Sequence, residues 1–272
     1  MLEDTPIIEV NEEELNTFKI PLDTHFRLIV LINSVKYEYF IRLKSKSEKL
    51  LILGSGAYKP SAMSLPVFQR HSWIDDLDDS MIFYNDPTLY LDRLMLGWGF
   101  GDRDTHYLEK ISEIINIIKD RINIQNENMF FYGSSAGGFM SLILAASIKG
   151  ATAIVNNPQT IFTNYHEVHI NKLLRLFDIN KEDMETIYKD RTNVVEYFKH
   201  VSNIPKIFYM QNALVEHDVD NHLKPFINQL KDIDENITLN KIKLELYFNY
   251  KLGHNPVSKS ETIDYIRKAM RN

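Results

Sequence analysis

Ser135 sits in Gly133-Ser134-Ser135-Ala136-Gly137, a G-x-S-x-G pattern. An apolar strand-like run, Met129-Phe130-Phe131-Tyr132, leads into it, and a helix-like run, Phe139-Met140-Ser141-Leu142-Ile143-Leu144, follows. A serine hydroxyl is a weak nucleophile until a base takes its proton, and attack on a carbonyl needs donors for the oxygen that becomes negative. A tight strand-to-helix turn serves both needs. It exposes the hydroxyl at the carboxyl end of a sheet and aims a helix N-terminus at the developing charge. Small flanking residues keep such a turn clear of its neighbours. A phosphate-cradling P-loop does not fit, because its Gly-Lys-Ser/Thr ending is missing.

The base for Ser135 is sought among nine histidines. His254, in Leu252-Gly253-His254-Asn255-Pro256, follows the last strand-like run, Lys243–Tyr250, and precedes a helix. A histidine on that loop reaches back over the sheet edge to the serine. The base needs an orienting acid, expected just after the strand Lys206–Met210. Glu216, Asp218 and Asp220 all stand there; Glu216 is nearest the strand end, and the sequence leaves the choice open. His217 and His222 either line the site or serve as loop and helix-cap residues. For the oxyanion, one donor is expected from the N–H of Ala136. The other is expected from Gly54-Ser55-Gly56-Ala57-Tyr58, with Ser55 and Gly56 as candidates. Ser134 and Trp98 are expected to face the substrate.

Positioning these groups requires a particular set of elements. Strand-like runs cover Phe26–Ile32, Val35–Leu43 and Lys49–Leu53, with a hairpin turn at Asn33-Ser34. Strand and helix signals then alternate: Met81–Tyr84, a helix from about Thr105 carrying Ile111, Ile114, Ile115, Ile118 and Ile122, the strand Asn128–Tyr132, the helix Phe139–Ile148 and the strand Ala151–Val155. Residues 159–203 are polar, helical in pattern and lack a good strand. The strand Lys206–Met210, helix Leu223–Lys231, strand Lys243–Tyr250 and a helix from about Ser258 to Met270 complete the chain. This alternation predicts an α/β fold: a mostly parallel sheet covered on both faces, with antiparallel N-terminal strands, a small helical cap at about 159–203 and an acidic arm or short helix over 1–20. One domain over 1–272 is expected.

Composition bounds the rest. The chain has 272 residues and no cysteine, which excludes disulfides, thiolate catalysis and cysteine-bound zinc. A net charge of -6 argues against a general nucleic-acid binder. Neither a secretory leader nor an apolar run of membrane-spanning length is read, and a cytoplasmic address is expected. Asp102, Asp104 and His106 stand at alternating positions, yet a glycine loop with Asp104 or Thr105 capping the next helix explains them, and no metal is expected. His166-Glu167-Val168-His169 has its histidines three apart, not the zinc motif's four. Lys172, Arg175 and Lys181 read as a solvated helix face that could also meet an anion. Partners expected are a small molecule or carbohydrate, and a homo-oligomer is compatible.

Taken together, the elbow Gly133–Gly137, His254 and the surrounding strand order resemble the α/β-hydrolase superfamily over about residues 26–270. The Gly-Ser-Ser-x-Gly-Gly elbow, the Val155-Asn156-Asn157-Pro158-Gln159 run and the late Gly-His-Asn look more narrowly like bacterial capsule and surface-polysaccharide O-acetyltransferases of that fold. The resemblance implies acetyl transfer from acetyl-CoA, as co-substrate and without a resident cofactor, to a sugar hydroxyl through an acetyl-serine. Such proteins tend to carry an aspartate about three residues after the Gln-Asn pair, where this chain has Val215. Water as acceptor would make an esterase. A peptidase- or lipase-like hydrolase is a second reading. A catalytically silent binding or assembly protein in polysaccharide or accessory secretion systems is a third.

Overall fold

The computed structural model describes residues 2, 4–233 and 241–271. Met1 and Glu3, part of the acidic arm, lie outside the described residues. The described strands are β1 Ile7–Asn11, β2 His25–Ile32, β3 Val35–Arg42, β4 Leu50–Gly54, β5 Ser80–Tyr84, β6 Met129–Ser134, β7 Thr152–Asn156, β8 Lys206–Asn212 and β9 Ile242–Tyr247. They form one sheet in the order β1-β2-β3-β5-β4-β6-β7-β8-β9. β3 pairs antiparallel with both β2 and β5, and the pairs from β5 through β4 to β9 are parallel. This is the predicted mixed sheet. Asn33 and Ser34 turn the β2–β3 hairpin with φ of 49° and 66°, the handedness that two-residue hairpins favour.

The N-terminal arm departs from expectation. Ile7–Asn11 adds to the sheet edge parallel to β2, from Ile7 opposite Arg27 to Asn11 opposite Leu31. Only Val10 of that strand is buried, so its hydrophobic pattern is too thin to read as a strand.

Strand side chains alternate between the two faces. Met129 and Phe131 of β6 enter one core layer while Phe130 and Tyr132 enter the other, and β4 divides Leu50 and Ile52 from Leu51 and Leu53 in the same way. The first layer receives helices α1 Tyr107–Arg121 and α2 Ala136–Ser147. Ile111, Ile114, Ile115 and Ile118 form the buried stripe of α1, each contributing roughly 1.5–3 kcal/mol by leaving water. The second layer is covered by the C-terminal helix.

The segment after β7 holds α3 Glu167–Phe177, α4 Lys181–Ile187, α5 Lys189–Thr192 and α6 Val194–His200. A bridge between Ile161 and Asn193 closes off α3 to α5 as the insertion. α6 is different: Val194, Val195, Tyr197 and Phe198 are buried, and the helix packs on α2 as the crossover between β7 and β8. Among the helices of the expected cap at 159–203, α3 and α4 also send Ile170, Leu173, Phe177 and Met184 into the first core layer, and α6 is set apart by its packing on α2. After β8 come α7 Glu216–Asp218, α8 Lys224–Lys231 and, beyond β9, α9 Lys259–Met270. Ile263, Tyr265, Ile266 and Ala269 of α9 close the second layer. Among the described residues no helix is long and apolar enough to cross a membrane.

Candidate active site

β6 ends at Ser134 and α2 starts at Ala136, so Ser135 alone makes the turn, with φ 55° and ψ -125°. Few non-glycine residues adopt such a backbone, and it persists only where the surroundings hold it. Here the Ser135 carbonyl accepts from the N–H groups of Gly138 at 3.0 Å, Phe139 at 3.2 Å and Gln159 at 3.2 Å. A Cβ on Gly133 would stand 2.1 Å from the Gly137 oxygen, and one on Gly138 would stand 2.6 Å from Pro158 Cβ. Only glycine permits this approach of strand, helix and the loop after β7.

The Ser135 hydroxyl lies 2.8 Å from His254 Nε2, and His254 Nδ1 lies 2.6 Å from Asp218 Oδ2. Asp218 is buried, whereas Glu216 is exposed and Asp220 pairs with Lys224 at 2.6 Å on the surface. Helical winding explains the selection. Residues two apart on a helix point about 200° away from each other, so burying Asp218 turns Glu216 and Asp220 outward. Two buried asparagines, unassigned in the sequence reading, fix the histidine loop. Asn212 Nδ2 donates to the carbonyls of Asn249 at 2.7 Å and Gly253 at 2.9 Å. Asn157 Nδ2 donates to the His254 carbonyl at 3.0 Å, while its Oδ1 accepts from Asn212 N at 2.8 Å. Asn157 thus couples the β7 end to both the acid-bearing and the histidine-bearing segments.

Gln159 is a further residue that the sequence reading passed over. Its Nε2 donates to Ser135 Oγ at 3.2 Å, and its Oε1 accepts from Trp98 Nε1. An indole nitrogen only donates, so Trp98 turns the carboxamide with its NH2 toward the serine. The signal was the Asn156-Asn157-Pro158-Gln159 run, which was visible without a role attached. Trp98 corrects an expectation. It is fully buried and stacked on Phe162 with centroids 4.8 Å apart, so it reaches the site through Gln159 and does not form a pocket wall.

Other expected residues sort as follows. Ala136 opens α2, so no preceding turn is available to take its N–H. A Cβ on Gly56 would lie 4.0 Å from Ser135 Cβ, so that backbone borders the nucleophile. Its N–H donates to Gln69 Oε1 at 2.9 Å in this state. Ser55 braces the same loop, its hydroxyl donating to the Val67 carbonyl at 3.1 Å and accepting from Gln69 N at 3.1 Å. Ser134 points to the face opposite its neighbour and accepts from Arg70 Nη2 at 2.7 Å, which takes its side chain away from any substrate beside Ser135.

Imidazoles crowd the cap side. The Tyr165 ring lies 6.1 Å from that of His254 and also meets His166, His169 and His217. His217 Nδ1 is 3.8 Å from Asp218 Oδ1 and its ring is 4.6 Å from His166. Burial first, then neighbouring imidazoles, lowers the His166 pKa; burial, His166 and Lys172 lower that of His169. His222 lies behind this rim, wholly buried, and burial pushes its pKa down to about 3. The Asp102 carboxylate accepts from Asp104 N at 2.9 Å and Thr105 N at 2.7 Å. Asp102 therefore braces the loop before α1, where Asp104 or Thr105 was expected to cap the helix.

No family model matches the chain, and no curated protein matches it. Solved structures do. The capsule O-acetyltransferase of Neisseria meningitidis serogroup A matches with a TM-score of 0.68 at 17% identity, over 96% of this chain and 99% of that one. A mutant of that enzyme in complex with CoA matches with a TM-score of 0.63 at 18% identity, over 88% and 94% of the two chains. Prolyl oligopeptidase B from Galerina marginata matches at 0.59 and 14%, covering 91% of this chain and 37% of that one. The likeness is one of fold: this chain has the α/β-hydrolase fold.

Proposed function

We propose that the chain is a serine acyltransferase that moves an acetyl group onto a carbohydrate hydroxyl through an acyl-Ser135 intermediate. The observation that carries this reading is the unbroken contact Ser135 Oγ–His254 Nε2 and His254 Nδ1–Asp218 Oδ2, built on a strained strand-to-helix turn. Ser135 Oγ attacks the acyl carbonyl as its proton passes to His254 Nε2. Asp218 holds Nδ1–H, fixing the tautomer and stabilising the imidazolium. Gln159 Nε2 donates to a serine lone pair, which leaves the hydroxyl proton directed at His254. The tetrahedral oxygen is met by Ala136 N–H and, once Gln69 turns away, by Gly56 N–H. The proton on His254 then goes to the leaving group. In the second half His254 deprotonates the acceptor hydroxyl, the ester bond to Ser135 breaks as the product ester forms, and His254 returns the proton to Ser135 Oγ. Acetyl-CoA is the proposed donor and a surface polysaccharide the proposed acceptor. Both are supported by the fold shared with the Neisseria meningitidis enzyme, one form of which is a CoA complex.

Intact-mass measurement after exposure to a fluorophosphonate, and in parallel to acetyl-CoA, tests the reading. The expected result is one phosphonyl adduct and one acetyl adduct, both absent in Ser135→Ala. Phosphonylation with acetyl-CoA hydrolysed and no transfer to any sugar would make the protein an esterase. Absence of both adducts would make it a silent member of the fold.

A further inference from the structure

The loop that borders Ser135 at Gly56 runs on along the surface. Two residues on, Tyr58 N donates to the Met95 carbonyl at 3.1 Å, and the surface there opens into a cavity of about 760 Å³. That volume is in the range of small-molecule sites. Tyr58, Met63 and Met95 are among its apolar lining residues, and Lys59, Arg93 and Lys172 line it as well. No carboxylate lines it among the described residues. No ion-pair partner is found for these three cations among the described residues. Asp92, next to Arg93, directs its carboxylate to the Arg93 N–H at 2.7 Å. On a chain of net charge -6, three such cations lining one cavity make a local positive well for an anion.

Helix α3 connects this groove to the triad from above. His169 stacks on Tyr165, which lies 6.1 Å from His254. Lys172 follows three residues later, about 4.5 Å further along the helix axis. Loop 55–65 connects the two from the other side, since it carries both Gly56 and Lys59. One loop thus borders Ser135 at Gly56 and lines the groove from Tyr58 onward.

We infer that this groove binds the phosphates of an acyl-CoA donor, with the thioester arm running past Tyr58 to Ser135. The inference rests on the acyl-transfer reading and adds the donor subsite to it. The cations meet phosphate oxygens, and the Tyr58, Met63 and Met95 surface takes the apolar part of the donor. At Ser135 the Oγ–carbon bond forms, the carbon–sulfur bond breaks, and the thiolate leaves with the proton held by His254 as free CoA.

Calorimetric titration with CoA and with 3′-dephospho-CoA tests this on the full chain, using wild type and the triple variant Lys59→Ala, Arg93→Ala, Lys172→Ala. All three residues lie on the surface or half-buried, and p-nitrophenyl acetate turnover within twofold of wild type establishes that the variant is folded. The expected result is CoA binding weakened about 30-fold in the variant, with the loss shrinking at high salt. Equal CoA affinity in both proteins overturns the assignment. So does an unchanged CoA affinity with a raised KM for an anionic acceptor, which would move the cations to the acceptor side. Wild type that turns over p-nitrophenyl acetate without binding CoA overturns the donor subsite and leaves the serine chemistry standing. CoA binding that depends on the cations, with no Ser135 adduct, keeps the subsite and removes the acyl-transfer reading.

Discussion

At the scale of single residues, the site separates groups of the same chemistry by what surrounds them. Asp218 and Glu216 stand two positions apart, yet only the buried one meets His254. Asp218→Asn leaves the geometry but favours the wrong imidazole tautomer, so kcat should fall by about 10³–10⁴. Glu216→Gln should stay within twofold. p-Nitrophenyl acetate turnover checks both, and equal damage from the two would remove Asp218 from its place. Gln159 makes a subtler case. Removing one preorganised donor from a buried site costs about 10²-fold in kcat, which is the loss expected for Gln159→Ala. Trp98→Phe keeps the ring stack on Phe162 and deletes the N–H that orients the carboxamide. It should lower kcat about tenfold with KM unchanged, since Trp98 touches Gln159 and not the substrate. A raised KM at constant kcat would return Trp98 to the pocket wall.

At the scale of elements, the carboxyl ends of β6, β7, β8 and β9 each deliver one part of the site, and asparagines tie the parts together. Asn212→Ala frees the carbonyls of Asn249 and Gly253 and the N–H groups of Leu214 and Asn249. The expected cost is about 1–3 kcal/mol from the buried groups left unmatched, with a lowered kcat because His254 loses its anchored loop. Urea denaturation and turnover measure the two separately, and destabilisation without a loss of rate would mean that Asn157 alone holds the loop. These elements also show where the sequence was legible. The elbow announced itself because its glycines are demanded by backbone contact at Gly133 and Gly138, a constraint local in sequence. His254 was legible from its position after the last strand. The choice among Glu216, Asp218 and Asp220 depended on where one short helix begins to wind, a matter of a single residue. The roles of Asn157, Asn212 and Gln159 depend on chain segments from 24 to 97 residues away, and no local pattern records them. β1 escapes the sequence because an edge strand with one buried side chain carries almost no periodic signal, and the apolar Val194, Val195, Tyr197 and Phe198 of α6 fit a cap helix as well as a core one, so no local pattern separates it from its neighbours.

At the scale of the whole molecule, the sheet, the cap and the site share one buried imidazole whose titration links stability to pH. His222 is fully buried, its ring nitrogens have no hydrogen-bond partner among the described residues, and its backbone carbonyl accepts from Thr160 Oγ at 2.7 Å. Burial is the largest cause of its lowered pKa, with His217, His254 and His166 adding to the depression and Asp218 opposing it. The folded chain takes up that proton only near pH 3, whereas an unfolded chain takes it up near pH 6.5. Above 6.5 both states are neutral and the native state keeps its full stability. Below 6.5 the unfolded state binds a proton that the native state refuses, so stability falls steadily as pH drops toward 3. The full span amounts to something on the order of 4 kcal/mol. His106 is lowered by burial as well and acts in the same direction, so some acid sensitivity persists without His222. The expected outcome is that His222→Phe, which fills a similar volume without a titrating ring, flattens the slope of unfolding free energy between pH 6 and 4 by close to one proton's worth, about 1.4 kcal/mol per pH unit. Thermal unfolding at several pH values gives that slope. A variant as acid-sensitive as wild type would show that His222 takes up its proton alike in the folded and unfolded chains and contributes nothing to the slope.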